Sequence, residues 1–127
     1  MLVPWQEFDF DLNGSPMHYA QTEAGKPAFV LAHGYSDNGM CWQRVAAALD
    51  HAYTLYLPDA RGHGRSARIE PGEVVDAAAD LAGLICGLKL ERPLVGGHSM
   101  GASTTANLVG GDCLFVGAKA AHVDIAA

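Results

Sequence analysis

The sequence predicts an α/β fold, with an N-terminal β-hairpin followed by a mostly parallel sheet of alternating strands and helices. Three observations carry this. A strict alternation of acidic and apolar residues runs into Asn13-Gly14. Short apolar runs then alternate with stretches of helical spacing. Most of these runs end in a proline or a glycine-containing turn.

The elements follow in order. Phe8, Phe10 and Leu12 share one face, and Glu7, Asp9 and Asp11 the other, the period of a half-buried strand. Asn13-Gly14 is a two-residue hairpin turn, and Met17 to Gln21 is the returning strand. Gly25-Lys26-Pro27 breaks it. Ala28 to Ala32 is continuously apolar, as an interior parallel strand covered on both faces should be. Gly39 to Leu49 places Trp42, Val45 and Leu49 on one helical face. Tyr53 to Leu57 is a strand ended by Pro58. A helix is predicted from Pro71-Gly72 onward, carrying Val74, Ala78, Leu81, Ile85 and Leu88 inward with Asp76 and Asp80 on its wet side. Pro93 to Gly97 is a strand running into a sharp turn, and Met100 to Leu108 is helical. Beyond Val109 the pattern weakens. Cys113 to Val116 has strand character, and Ala118 to Ala127 reads either as a frayed helix or as a last strand centred on Val123.

At 127 residues, half of them apolar and 17% charged, the chain is one domain's worth of protein with a real core. Fourteen acidic against eight basic residues give a net charge of −6, which argues against nucleic acid or an anionic membrane as partner. No apolar run reaches the roughly 20 residues of a membrane helix, so no stable membrane insertion is expected. The first residues carry no signal-peptide pattern. A cytoplasmic location is expected. Cys41, Cys86 and Cys113 are odd in number and far apart, which suits buried thiols rather than a disulfide framework or a zinc site.

Three segments carry chemistry. Gly97-His98-Ser99-Met100-Gly101 matches G-x-S-x-G between a strand and a helix. A serine there stands clear of its neighbours at a helix N-terminus, and the N–H of Met100 can stabilise an oxyanion. His33-Gly34-Tyr35-Ser36-Asp37-Asn38-Gly39 follows an interior strand. Gly34 permits a tight turn, the Tyr35 N–H is a second candidate oxyanion donor, and Ser36 or Asp37 is the expected helix cap. His33 reads as a residue bracing this loop rather than a general base. Asp59-Ala60-Arg61-Gly62-His63-Gly64-Arg65-Ser66 lacks the lysine ending of a phosphate loop. An Asp–Arg pair is expected to brace it.

In this order and approximate spacing, the HG loop, the D-x-R-G-H-G-x-S loop and G-H-S-M-G resemble the α/β-hydrolase superfamily over roughly residues 5 to 109, and Trp42 fits too. The likeness is to its serine esterase, haloperoxidase-like and carbon–carbon-bond hydrolase branch. It implies a truncated α/β-hydrolase fold over residues 1–127 with an atypical tail, 110–127. It implies Ser99 as nucleophile, Tyr35 and Met100 as oxyanion donors beside His33 and Gly34, and no metal or organic cofactor. A serine at the elbow disfavours the epoxide-hydrolase and dehalogenase branches, which use an aspartate there.

In that family the acid and the histidine follow the serine along the chain. Here about 28 residues follow Ser99, which leaves no room for the family's seventh and eighth strands. His98 precedes the serine, so its side chain is expected to diverge from that of Ser99. His122 is the one histidine after the serine. If Lys119 to Ile125 is a strand beside the fifth, His122 and Asp124 share a face, with Cα atoms roughly 6.6 Å apart, near the strand end that adjoins Ser99. Asp112 is a competing acid. His33, His63 or a second subunit are the other sources of a base.

Two functions fit these residues. One is a very small carboxylesterase or lipase-like hydrolase that cleaves small acyl esters through a Ser99 acyl-enzyme. The other is a catalytically incomplete remnant serving as an oligomeric binding or structural module. An exposed sheet edge predicts a homo-oligomer in either case.

Overall fold

The computed structural model describes residues 4–109 and 118–122. The elements are β1 (Gln6–Leu12), β2 (Ser15–Gln21), β3 (Ala28–Ala32), α1 (Gln43–Leu49), β4 (Thr54–Pro58), α2 (Ala77–Gly87), β5 (Leu94–His98), α3 (Met100–Leu108) and β6 (Ala118–His122). The strands form one sheet in the order β1-β2-β4-β3-β5-β6. β4, β3 and β5 are mutually parallel, while β1 and β2 pair antiparallel and β2 meets β4 antiparallel.

The hairpin forms as its turn residues dictate. Asn13 and Gly14 both take positive φ (52° and 86°), the twist that joins two right-handed strands in two residues. The Asp11 carboxylate accepts the Gly14 N–H at 2.9 Å. Phe8 stacks on Tyr19, and Phe10 and Leu12 lie against α2.

Alternation along β3 explains its unbroken apolar run. Phe29 and Leu31 join Ala20, Leu55, Leu57 and Ala46 on the α1 side. Val30 joins Val95, Leu81, Leu84 and Ile85 on the side of α2 and α3. Both faces are covered, as an interior parallel strand requires.

Two elements differ from expectation. The helix predicted from Gly39 is split into a 3-10 turn (Gly39–Trp42) and α1. The turn is capped by Asn38, whose side chain accepts the Met40 N–H, rather than by Ser36 or Asp37. The helix predicted from Pro71 begins at Ala77. Gly72 sits at φ +81°, outside the helical region, and Val74 is 93% exposed. Asp76 is exposed, as expected, but it stands at the N-cap rather than within the helix, and its side chain accepts the Ala79 N–H at 3.0 Å.

The tail contributes a strand, but at Ala118–His122 rather than around Val123, and it runs antiparallel to β5. It pairs along the whole of β5, so the sheet edge there belongs to β6. Cys113 to Val116 lies outside the described residues. Among the described residues no helix is long and apolar enough to cross a membrane.

Candidate active site

The parallel trio β4-β3-β5 brings three loops together at its C-terminal ends. Ser99 closes β5 and opens α3. Its backbone sits at φ 55° and ψ −115°, a conformation that costs a non-glycine residue about 1–3 kcal/mol. Packing holds it there. Gly101 passes so close to the end of β3 that a Cβ would fall 2.7 Å from the His33 carbonyl oxygen. A Cβ on Gly97 would meet the Gly101 carbonyl and lie 2.8 Å from the Ala102 nitrogen. The side chain of Ser99 makes no capping bond and is exposed. The Met100 N–H, first in its helix, has no acceptor within α3.

The HG loop lies directly against this elbow. A Cβ placed on the buried Gly34 would stand 3.6 Å from Ser99 Cβ and 3.3 Å from His98 Nδ1. His98 Nδ1 and Ser99 Cβ thus both adjoin Gly34. Tyr35 extends outward, 77% exposed, with its ring centre 6.0 Å from that of His63 in an edge-to-face arrangement.

His33 is a brace. Its Nδ1–H donates to the Gly34 carbonyl (2.7 Å), and its Nε2 accepts the Ala60 N–H (2.9 Å). An imidazole with one donor and one acceptor is neutral, and both positions are taken. Burial pushes its pKa below the ordinary imidazole value, and nearby His63 adds to this. It ties the loop after β3 to the loop after β4 and has no nitrogen left for a proton from Ser99.

Asp59 is also fully engaged. Its carboxylate accepts the Gly39 N–H (2.7 Å) and the Arg65 N–H (2.9 Å). It does not pair with Arg61. The Arg61 guanidinium instead forms a fork with Asp80 of α2, Nε and Nη2 both at 3.0 Å. Asp80 was expected on a wet face. Nineteen residues separate the partners, so no local pattern announces the pair. Ser66 Oγ donates to the Asp59 carbonyl and accepts the His18 N–H, fastening the loop to β2. His63 Nδ1–H donates to the Arg61 carbonyl at 3.1 Å.

The structure does not bring His122 to the serine. The antiparallel register sets His122 opposite Leu94 and Ala118 opposite His98. His122 thus sits at the far end of β5, about 13 Å along the strand from His98. Pairing direction, which the short tail does not encode locally, decides this. Asp124 and Asp112 lie outside the described residues. Among the described residues no group of three or more His, Cys, Asp or Glu could hold a metal ion. A cavity of about 40 Å³ behind Met100, lined by Ala32, His33, Leu81, Leu84 and Thr104, has room for water but not for a substrate.

The sequence profile of the alpha/beta hydrolase family matches residues 29–127. The chain belongs to that family. An epoxide hydrolase from Caballeronia sordidicola is 33% identical over 106 residues, covering 80% of this chain and 32% of the relative. A 2-(acetamidomethylene)succinate hydrolase from Mesorhizobium japonicum is 36% identical over 77 residues, covering 60% of this chain and 28% of the relative. The chain thus spans roughly a third of the length of these curated relatives. The crystal structure of epoxide hydrolase VrEH1 from Vigna radiata shares the fold. Its TM-score is 0.75 at 24% identity, over 83% of this chain and 35% of that one.

Proposed function

We propose that this member of the family is an acyl-transfer hydrolase acting on small carboxylic esters, with Ser99 as nucleophile. The observation that carries the reading is a serine held exposed at φ 55° on the turn between β5 and α3, with the side-chain-free Gly34 beside it. A substrate carbonyl lying over Gly34 is within reach of Ser99 Oγ. The backbone N–H groups of Met100 and Tyr35 are the candidate oxyanion donors. Such donors account for a large part of acyl-transfer catalysis. The exposed elbow and the small cavity predict an open site with little chain-length selectivity.

The relatives favour a second reading, epoxide opening, and the assay separates the two. Purified protein and Ser99→Ala are compared on p-nitrophenyl acetate and on styrene oxide. Turnover of the ester that falls to background in Ser99→Ala is expected. Equal ester turnover by the two proteins, or turnover of the epoxide alone, overturns the reading.

A further inference from the structure

We infer, taking Ser99 as the nucleophile proposed above, that His33 is a positioning residue: beyond tying two loops together, it aims the Tyr35 N–H as an oxyanion donor. The Gly34 carbonyl and the Tyr35 N–H belong to one peptide unit, and no described peptide bond is cis. In a trans peptide these two groups point in opposite directions. His33 Nδ1 lies 2.7 Å from the Gly34 carbonyl oxygen. Whatever holds that carbonyl therefore sets the direction of the Tyr35 N–H.

The two bonds of the ring fix its protonation state. A carbonyl oxygen only accepts, so Nδ1 carries a proton. The Ala60 N–H only donates, and it reaches Nε2 at 2.9 Å, so Nε2 is bare. Only the neutral Nδ1–H tautomer makes both bonds. The ring is 2% exposed and packs on His63, with centres 5.1 Å apart. The Gly34 carbonyl is thus drawn toward a buried group, and the Tyr35 N–H faces away from it. Among the described residues no acceptor takes that N–H. The peptide also begins beside the nucleophile, since a Cβ on Gly34 would stand 3.6 Å from Ser99 Cβ.

The two nitrogens have separable tasks. Nε2 joins the loop after β3 to the loop after β4, which is a matter of stability. The Nδ1–H orients a donor, which matters when negative charge develops on the oxygen of an ester carbonyl under attack by Ser99. A donor already aimed there needs no reorientation at that moment. Removing one such donor costs roughly 10²–10³-fold in rate, and a donor that is present but misaimed costs part of that.

Two substitutions take the bonds apart. In His33→Asn the side-chain amide nitrogen can stand in for Nδ1 and donate to Gly34, while the Ala60 bond is lost. In His33→Gln the longer side chain brings its carbonyl oxygen to the place of Nε2, which keeps the Ala60 bond and loses the Gly34 bond. Both variants, native protein and Ser99→Ala are compared in p-nitrophenyl acetate kinetics and in the rate at which a fluorophosphonate labels Ser99, read by peptide mapping. Urea midpoints follow stability. In His33→Gln, kcat and labelling should fall by about tenfold or more with KM little changed, while His33→Asn stays within about threefold of native. Equal rates in the two variants, a larger loss in His33→Asn, or a loss confined to KM overturns the inference and leaves Ser99 as nucleophile. Native protein supplies a check that needs no substitution. Its long-range 1H–15N spectrum should show the His33 ring as the Nδ1–H tautomer, and the Nε2–H tautomer overturns the inference. A folded native protein that neither turns over the ester nor is labelled at Ser99 overturns both readings.

Discussion

Ser99 shows how much of a site can depend on side chains that are not there. Its backbone conformation is costly, and the glycines on either side make it possible by letting α3 ride against the end of β3. At both glycines the atoms a Cβ would meet are backbone atoms, which cannot swing aside, and at Gly101 they belong to Ala32 and His33 at the end of a different strand. Gly101→Ala should therefore cost about 1–3 kcal/mol, seen as a lower urea midpoint, and should displace the elbow. Fluorophosphonate labelling of the variant should fall more than its stability does. A native-like midpoint and labelling rate would show that the close approach is not needed. This dependence was legible in the sequence, since G-x-S-x-G names the residues whose Cβ atoms must be absent. The approach of His98 to Gly34 was not. A side chain's direction at a strained turn depends on what lies opposite, and what lies opposite is a glycine some sixty residues earlier in the chain.

At the scale of elements, period and punctuation placed β1 to β5 and α3 close to where they form. They failed at the start of α2. Apolar residues at helical steps reach back to Val74, but periodicity cannot show that Gly72 leaves the helical region or that Asp76 prefers to cap. It also cannot show that Asp80 faces a guanidinium delivered by a distant loop. Two substitutions separate the roles of these neighbouring aspartates. Asp76→Ala removes a cap and should cost about 1 kcal/mol. Asp80→Asn breaks the fork that holds the largely buried Arg61 guanidinium, leaves it only the looser Glu73 carboxylate at 3.9 Å, and should cost on the order of 2 kcal/mol. It should also loosen the loop after β4, read as faster amide exchange at residues 61–66. Equal losses with no change in that loop would mean that Arg61 does not hold it. The register of β6 is the other failure. Five residues of small and polar type pair as readily in either direction, so no local signal fixes which end of β5 receives His122.

For the whole molecule, the buried imidazole of His33 gives stability a pH dependence with a definite sign. Burial lowers its pKa in the folded protein, so the unfolded chain binds that proton more readily. The stabilisation is complete above the unfolded imidazole value and is lost as pH falls through that value toward the folded one. The two backbone bonds made by the neutral ring go with it. The fall in stability between about pH 7.5 and about pH 5 should be larger in the native protein than in His33→Gln. In NMR, the His33 ring should titrate below the ordinary imidazole range. Titration at or above that range would contradict the assignment.

The braces around the elbow have one further consequence, in the order of synthesis. His33 to Gly34 and Ala60, Asp59 to Gly39 and Arg65, Ser66 to His18 and Asp59, and the Ala67 N–H to the Pro16 carbonyl join residues 16 to 67. None of these bonds needs a residue that the ribosome adds later. The cradle can set before its serine has been made, and residue 99 arrives as a plug fitted to a socket already shaped.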